Sequence, residues 1–227
     1  MTKFDAILFD CDGVLLDSEP LASEALARAI TAAGLPFTGS EAMRDFSGSS
    51  AQSSLSRLDE MGLDGPAVFD HADRILFAMF DRHVPQIHGI ENVLWDYDVP
   101  MAVCSNSLVD RLDHSLGRTP LARRFGRHIY SAQHVSAAKP APDLAFLAGA
   151  QLGVPPSRAI FIDDNPHGIL CGRAAGCMTV GFIGPSEHRE NHAEVLRNAG
   201  ADHVVHGMME FHELLGQLSV RRAALCE

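Results

Sequence analysis

The chain has 227 residues, of which 46% are hydrophobic and 21% charged, with a formal net charge of −11. That mixture is ordinary for a globular protein, and a chain of this length buries a core without disulfides or a structural metal. The acidic balance excludes nucleic acid and anionic membrane surfaces as partners, since both need a basic face, but not a small anionic substrate, for which one metal ion and one lysine suffice.

The first element is the short apolar run Phe4 to Phe9, closed by the turn residues Asp10 to Gly13; it is expected to be a buried strand. Residues 19 to about 85 change character. Ser18-Glu19-Pro20 is a helix-start signal, with Leu21, Ala25, Leu26, Ala29 and Ile30 at helical spacing and Ala32-Ala33-Gly34 as the stop. Further helical patterns cover 51–61 and 66–80, and no strand pattern interrupts them. From residue 87 strands alternate with helices. Strands are expected at Val99–Cys104, His128–Ser131, Ala159–Asp163, Met178–Phe182 and His203–Val205, and helices at 89–97, 107–117, 142–152, 167–175 and 188–199. The expected fold is therefore α/β, a Rossmann-like parallel sheet with an inserted all-helical domain.

Five cysteines, at 11, 104, 171, 177 and 226, form no Cys-x-x-Cys pair and read as reduced thiols. Met1-Thr2-Lys3-Phe4-Asp5 lacks a secretory pattern, and no apolar run reaches the roughly 20 residues of a membrane span, so a cytoplasmic protein is expected. The twelve histidines are scattered and form no zinc set; His167 is the one expected near the site.

Three expected strands end in polar residues at one edge of the sheet, where open α/β sheets bind ligands. Asp10 and Asp12 are two apart, so their side chains can face one site, and Gly13 permits the sharp turn that follows. Two close carboxylates repel, which favours protonation of one and suits a nucleophile beside a proton donor. Val14, Leu15 and Leu16 exclude a calcium loop, which needs further oxygen ligands at those places. Asp163 and Asp164 add hard oxygen ligands of the kind Mg²⁺ takes. Ser105 and Asn106 present a hydroxyl, an amide and backbone N–H groups at a helix start, a setting that binds anions. Lys139, in Lys139-Pro140-Ala141-Pro142-Asp143, is a compact cation in a stiffened loop.

In chain order these are Asp-x-Asp-Gly-Val, Ser-Asn-Ser, Lys-Pro-x-Pro-Asp and Asp-Asp-Asn-x-x-Gly. The set resembles the four motifs of the haloacid dehalogenase superfamily, over residues 4 to about 206. The extension Leu15-Leu16-Asp17-Ser18-Glu19-Pro20 resembles the subgroup with a helical cap, which includes β-phosphoglucomutase and many sugar-phosphate and phosphogluconate phosphatases. The resemblance implies a catalytic core of 1–16 and 87–227 and a cap of 17–86. It implies Asp10 as nucleophile, forming an aspartyl-phosphate, and Asp12 as general acid and base. It further implies Mg²⁺ on Asp10, the Asp12 carbonyl, Asp163 and Asp164, with Ser105, Asn106 and Lys139 on the phosphoryl oxygens. Capped members are monomers by default.

Asp12 favours phosphoryl transfer over dehalogenation. Ala22, and the absence of arginine from Phe46-Ser47-Gly48-Ser49-Ser50-Ala51, favour hydrolysis of a small phosphorylated metabolite over β-phosphoglucomutase-like chemistry. A non-catalytic phospho-ligand binder is expected to lack these acids. Within the cap, Arg44, Gly48 and Ser49 are the expected substrate contacts, with Ser47 and Arg74 as further candidates. One departure stands out: the family often has Glu-Asp-Ser where this chain has Asp163-Asp164-Asn165.

Overall fold

The structure, a computed structural model, describes residues 4–49 and 51–220. Residues 1–3 and 221–227 of the expected core, Cys226 among them, and position 50 of the expected cap lie outside the described residues. By packing the chain divides into two compact units, Met1–Asp17 with Gln86–Glu227, and Ser18–Pro85.

In the first unit the apolar runs become strands: β1 (Ala6–Phe9), β2 (Met101–Ser105), β3 (Ile129–Ser131), β4 (Ala159–Asp163), β5 (Met178–Ile183) and β6 (His203–His206). They pair in the order β3-β2-β1-β4-β5-β6, every neighbour parallel. This is the expected Rossmann-like α/β sheet. β1 and β4 are buried along their whole length, as strands covered on both faces must be. Alternate side chains serve opposite faces. Ala6, Leu8, Cys104 and Phe161 pack with Leu144, Ala145 and Ala148 of α8 (Asp143–Leu152). On the other side Phe9 meets the ring edges of Phe125 in α7 (Ala122–Phe125) and Phe211 in α11 (Gly207–Val220).

The remaining helices of this unit are α5 (Ile90–Asp96), α6 (Val109–His114), α9 (Pro166–Ala175) and α10 (His192–Ala199). α9 begins where Asn165 accepts the His167 N–H and Pro166 fixes the first turn, and it ends at Gly176, whose φ of 84° suits a glycine. The helix expected over 188–199 starts only at His192, and 184–191 is a loop. α11 was not expected, although Met208, Phe211, Leu215 and Leu218 are buried at helical spacing.

The second unit is helical throughout its described elements: α1 (Glu19–Ala32), α2 (Gly39–Phe46), α3 (Ala51–Glu60) and α4 (Gly65–Phe80). Its core gathers Leu26, Ala29, Ile30, Ala42, Phe46, Leu58, Val68 and Ala72. Each large side chain buried there contributes about 1.5–3 kcal/mol. α2 is an addition to the sequence expectation. It starts with a capping box, in which Thr38 accepts the Glu41 N–H while the Glu41 carboxylate accepts from the Thr38 N–H.

Candidate active site

The strand order reverses between β1 and β4, the point in such a sheet beyond which ligands bind. Phe9 lies in register with Ile162, and the Asp10 N–H donates to the Ile162 carbonyl at 2.9 Å. The residues that follow, Asp10 and Asp163, are thereby set side by side.

Lys139 joins them. Its Nζ donates to Asp10 Oδ1 and to Asp163 Oδ2, at 2.7 Å each. All three are buried, Asp163 completely. Burial alone would lower the Lys139 pKa, but the charges of Asp10 and Asp163, with the hydrogen bonds to both, outweigh it and hold it above its ordinary range. Asp10 is pushed up to about 7, first by burial and then by the charge of Asp163, against the opposing pull of Lys139. The Cys11 thiol between the two acids is also buried and lies well above its ordinary value, so it is no thiolate nucleophile.

The lysine is held by its backbone as well. Asn106 Nδ2 donates to the Lys139 carbonyl at 3.1 Å, and Asn106 Oδ1 accepts the Lys139 N–H at 3.0 Å. One amide thus grips both polar groups of one peptide residue. Ser105, at the end of β2, is buried, and its Oγ accepts the Ser107 N–H at 3.1 Å.

Asp10, Asp163 and Asp164 offer carboxylate oxygens that all lie within 4.8 Å of one another, the one group among the described residues arranged to hold a metal. Glycines make the space. A Cβ on Gly168 would lie 1.7 Å from Asp163 Oδ2, and one on Gly13, where φ is +80°, would lie 2.5 Å from Asp164 Oδ2. Three carboxylates with this spacing are a hard, oxygen-only donor set, which fits Mg²⁺. Asp163 Oδ1 also accepts the Asn165 N–H at 2.8 Å, which fixes its rotamer.

Asp12 is placed differently. Its side chain is outside the metal trio; Ser107 Oγ donates to Asp12 Oδ2 at 2.7 Å, and Arg111 Nη2 lies 3.6 Å from Oδ1.

The loop 184–191 brings in residues the sequence did not reveal. Arg189 Nη2 is 3.7 Å from Asp164 Oδ2 and is hydrogen-bonded to Glu187. Buried His192 donates its Nε2–H to the Asp164 carbonyl at 2.6 Å. His192, rather than the exposed His167, is the histidine bonded to the acidic loop; the His167 backbone N–H bonds Asn165 at the start of α9.

The candidates of the helical unit lie within that unit. Arg44, in α2, is exposed and hydrogen-bonds Asp45. Gly48 has a φ of 73° in the turn after α2, where the Ser49 N–H donates to the Phe46 carbonyl at 3.1 Å. Ser47 donates to Glu19 at 3.0 Å, and the Arg74 Nε donates to the Asp70 carbonyl at 3.1 Å.

The four described cysteines are buried free thiols. Among the described residues no helix is long and apolar enough to cross a membrane.

Comparison with known proteins bears on the family and the fold. The model of the haloacid dehalogenase-like hydrolases matches residues 7–182. The chain is 28% identical over 193 residues to the 6-phosphogluconate phosphatase of Escherichia coli, spanning 84% of this chain and 87% of that one. It is 31% identical over 203 residues to the N-acetylmuramic acid 6-phosphate phosphatase of Pseudomonas aeruginosa, spanning 82% and 86%. A haloacid dehalogenase family hydrolase from Deinococcus radiodurans, solved with bound phosphate and sodium, superposes with a TM-score of 0.81 at 30% identity, covering 96% of this chain and 97% of that one. The chain belongs to the haloacid dehalogenase-like hydrolases, and as an enzyme it is a phosphoric monoester hydrolase.

Proposed function

We propose that this protein hydrolyses a small phosphate monoester, a sugar phosphate or a phosphogluconate-like sugar acid phosphate, by Mg²⁺-dependent attack of Asp10 on phosphorus. One observation supports this above the rest: at the switch point of the sheet a buried carboxylate, Asp10, is held by a buried lysine and forms a three-carboxylate cluster with Asp163 and Asp164. The E. coli and P. aeruginosa relatives carry the names of phosphatases for 6-phosphogluconate and N-acetylmuramic acid 6-phosphate, which supports sugar acid phosphates as the substrate class.

In the first half-reaction an Asp10 oxygen forms a bond to phosphorus while the bond to the leaving oxygen breaks. Asp12 gives that oxygen its proton, so the alcohol departs neutral. In the second half Asp12, now a carboxylate, takes a proton from water as the water attacks the aspartyl-phosphate. The Asp10–phosphorus bond breaks and inorganic phosphate leaves. Lys139, Ser105 and the N–H of Asn106 hold the phosphoryl oxygens through both halves. Asp10, Asp163, Asp164 and the Asp12 carbonyl are the groups that would hold Mg²⁺, which when bound offsets the repulsion between a phosphate dianion and a carboxylate. Arg44, Gly48 and Ser49 are assigned to recognition of the leaving group, which KM measurements on their variants would test.

The deciding experiment is phosphate release from 6-phosphogluconate, N-acetylmuramic acid 6-phosphate, phosphoglycolate and neutral sugar phosphates, with Mg²⁺ and with chelator. Release from at least one ester that requires Mg²⁺ and disappears in Asp10→Asn is expected. Wild-type turnover by Asp10→Asn would overturn the scheme. Isomer conversion dependent on a bisphosphate, without phosphate release, would identify a mutase instead.

A further inference from the structure

Asp12 is the acid of the site that the metal trio does not use, and both of its oxygens face groups from one short stretch, 107–111. Ser107 is pinned there from both sides. Its N–H donates to Ser105 Oγ at 3.1 Å, and its carbonyl accepts from the fully buried Ser131 at 2.7 Å. What remains to Ser107 is its hydroxyl, and that donates to Asp12 Oδ2 at 2.7 Å. Arg111 is fixed in turn by its own carbonyl, which accepts from the Ser115 N–H at 2.9 Å and the Ser115 hydroxyl at 2.7 Å. Its guanidinium then stands 3.6 Å from Asp12 Oδ1.

We propose that Ser107 and Arg111 are positioning residues that hold Asp12 for proton transfer to the leaving oxygen. The inference rests on the phosphatase scheme above, with Asp12 as the acid. A hydroxyl can donate to a carboxylate or accept from a carboxylic acid, so Ser107 stays paired with Asp12 whether or not it carries the proton. Arg111 acts on one form only. As the proton leaves Asp12, a carboxylate forms beside a guanidinium, and that charge is stabilised where it develops. The two residues divide the task between orientation and charge.

Leaving-group dependence tests this apart from folding. An alkyl phosphate needs its leaving oxygen protonated, whereas 4-nitrophenyl phosphate releases a stable phenolate that needs no acid. The readout is the ratio of kcat/KM on 6-phosphogluconate and glycerol 2-phosphate to kcat/KM on 4-nitrophenyl phosphate, measured on Mg²⁺-loaded protein; kcat/KM covers the steps up to departure of the leaving group and excludes the hydrolysis of the aspartyl-phosphate that all esters share. Asp12→Ala, the control, is expected to lower the ratio by about 10²–10⁴-fold. Arg111→Ala and Ser107→Ala, each removing one partner of a charged group, are expected to lower it by about 10- to 100-fold. Arg111→Lys and Ser107→Thr restore part of the ratio and carry the test if the alanine variants fail to fold. If Asp12→Ala lowers the ratio while the folded Ser107 and Arg111 variants lose activity equally on both esters, the two residues are structural and the inference fails with the phosphatase scheme intact. If Asp12→Ala leaves the ratio unchanged, the assignment of Asp12 as the acid fails, and the inference with it.

Discussion

Replacing Lys139 with methionine keeps an unbranched side chain, ending where the lysine Cε stands, and removes the ammonium with its charge and donors. In the structure that charge sits 2.7 Å from Asp10 Oδ1 and 2.7 Å from Asp163 Oδ2, with the lysine side chain 4% exposed and the Asp163 side chain fully buried. At an effective dielectric constant of about 20, each contact is a gross attraction of roughly 6 kcal/mol. Most of that offsets the desolvation of the three groups. Removing one partner strands the other two, however, and breaking a buried pair in this way costs about 3–5 kcal/mol. For a chain of this size that corresponds to a fall in melting temperature of about 6–20 °C. The fall should be largest in chelator at alkaline pH, where the stranded Asp10 is ionised. It should shrink with added Mg²⁺, since a cation among the carboxylates replaces the missing charge, and at acid pH, where Asp10 takes up a proton. Differential scanning fluorimetry of wild type and Lys139→Met over this grid of conditions is the assay, with phosphate release falling by about 10²–10³-fold in parallel. Equal melting of the two proteins in chelator at alkaline pH would refute the placement of a buried charge between two buried acids.

Asn106→Ala removes both side-chain bonds to the Lys139 backbone; kcat is expected to fall about 10-fold with little change in the folded state, as checked by phosphate release and far-UV circular dichroism. Gly168→Ala places a methyl group 1.7 Å from Asp163 Oδ2, which forces the carboxylate aside; a loss of about 1–3 kcal/mol in stability and a larger loss in Mg²⁺ affinity are expected, the second read by calorimetric titration. In the metal-free protein, burial and Asp163 hold Asp10 at about 7 against an ordinary 3.8, so between those values the folded state binds more protons than the unfolded one. This group therefore makes metal-free stability fall as pH rises through that window, and it makes Mg²⁺ binding release a proton; Mg²⁺ titrations near pH 6 in buffers of different ionisation heat measure the release.

Much of the fold was legible because its strands are apolar runs stopped by polar residues. Ala159–Asp163 was expected and observed with the same ends, and β5 and β6 each run one residue beyond expectation. α2 went unseen because only Ala42 and Phe46 of its residues are buried, too few to mark a helical period; its signal was the capping box, Thr38 with Glu41. α11 differs, since its buried positions at 208, 211, 215 and 218 are a plain helical period beyond the last strand. At the candidate site the strand ends announced Asp10, Asp163 and Ser105, since charged or hydroxyl groups directly after buried apolar runs have few other uses. What touches them was not legible. Arg189 falls in a stretch expected to be helical, and only the loop after Gly184-Pro185 brings it to Asp164, with Glu187 of the same loop bonded to it. Asn106 was expected to present its N–H to an anion, and nothing in its spacing showed that its amide would grip residue 139. Such pairings depend on how loops from separate strands converge, which local pattern does not encode.

The pairing of charges bears on how a chain with eleven excess negative charges accepts a phosphate ester. Every carboxylate at the end of the sheet has a cation against it: Asp10 and Asp163 share Lys139, Asp12 has Arg111, and Asp164 has Arg189. Four acids nevertheless face three cations, and Arg189 is also bonded to Glu187. The protein alone thus presents a slightly negative site, which attracts a divalent cation more readily than a phosphate dianion. In the proposed scheme two added positive charges would make the same groups net attractive to the dianion, with Lys139 bonded to Asp10, the proposed nucleophile. The order of binding expected from this balance is metal first and ester second. The affinity for inorganic phosphate, the product, is therefore expected to depend strongly on Mg²⁺, as titration with phosphate in Mg²⁺ and in chelator would show, whereas a site built only of arginines and lysines would bind phosphate equally well in chelator.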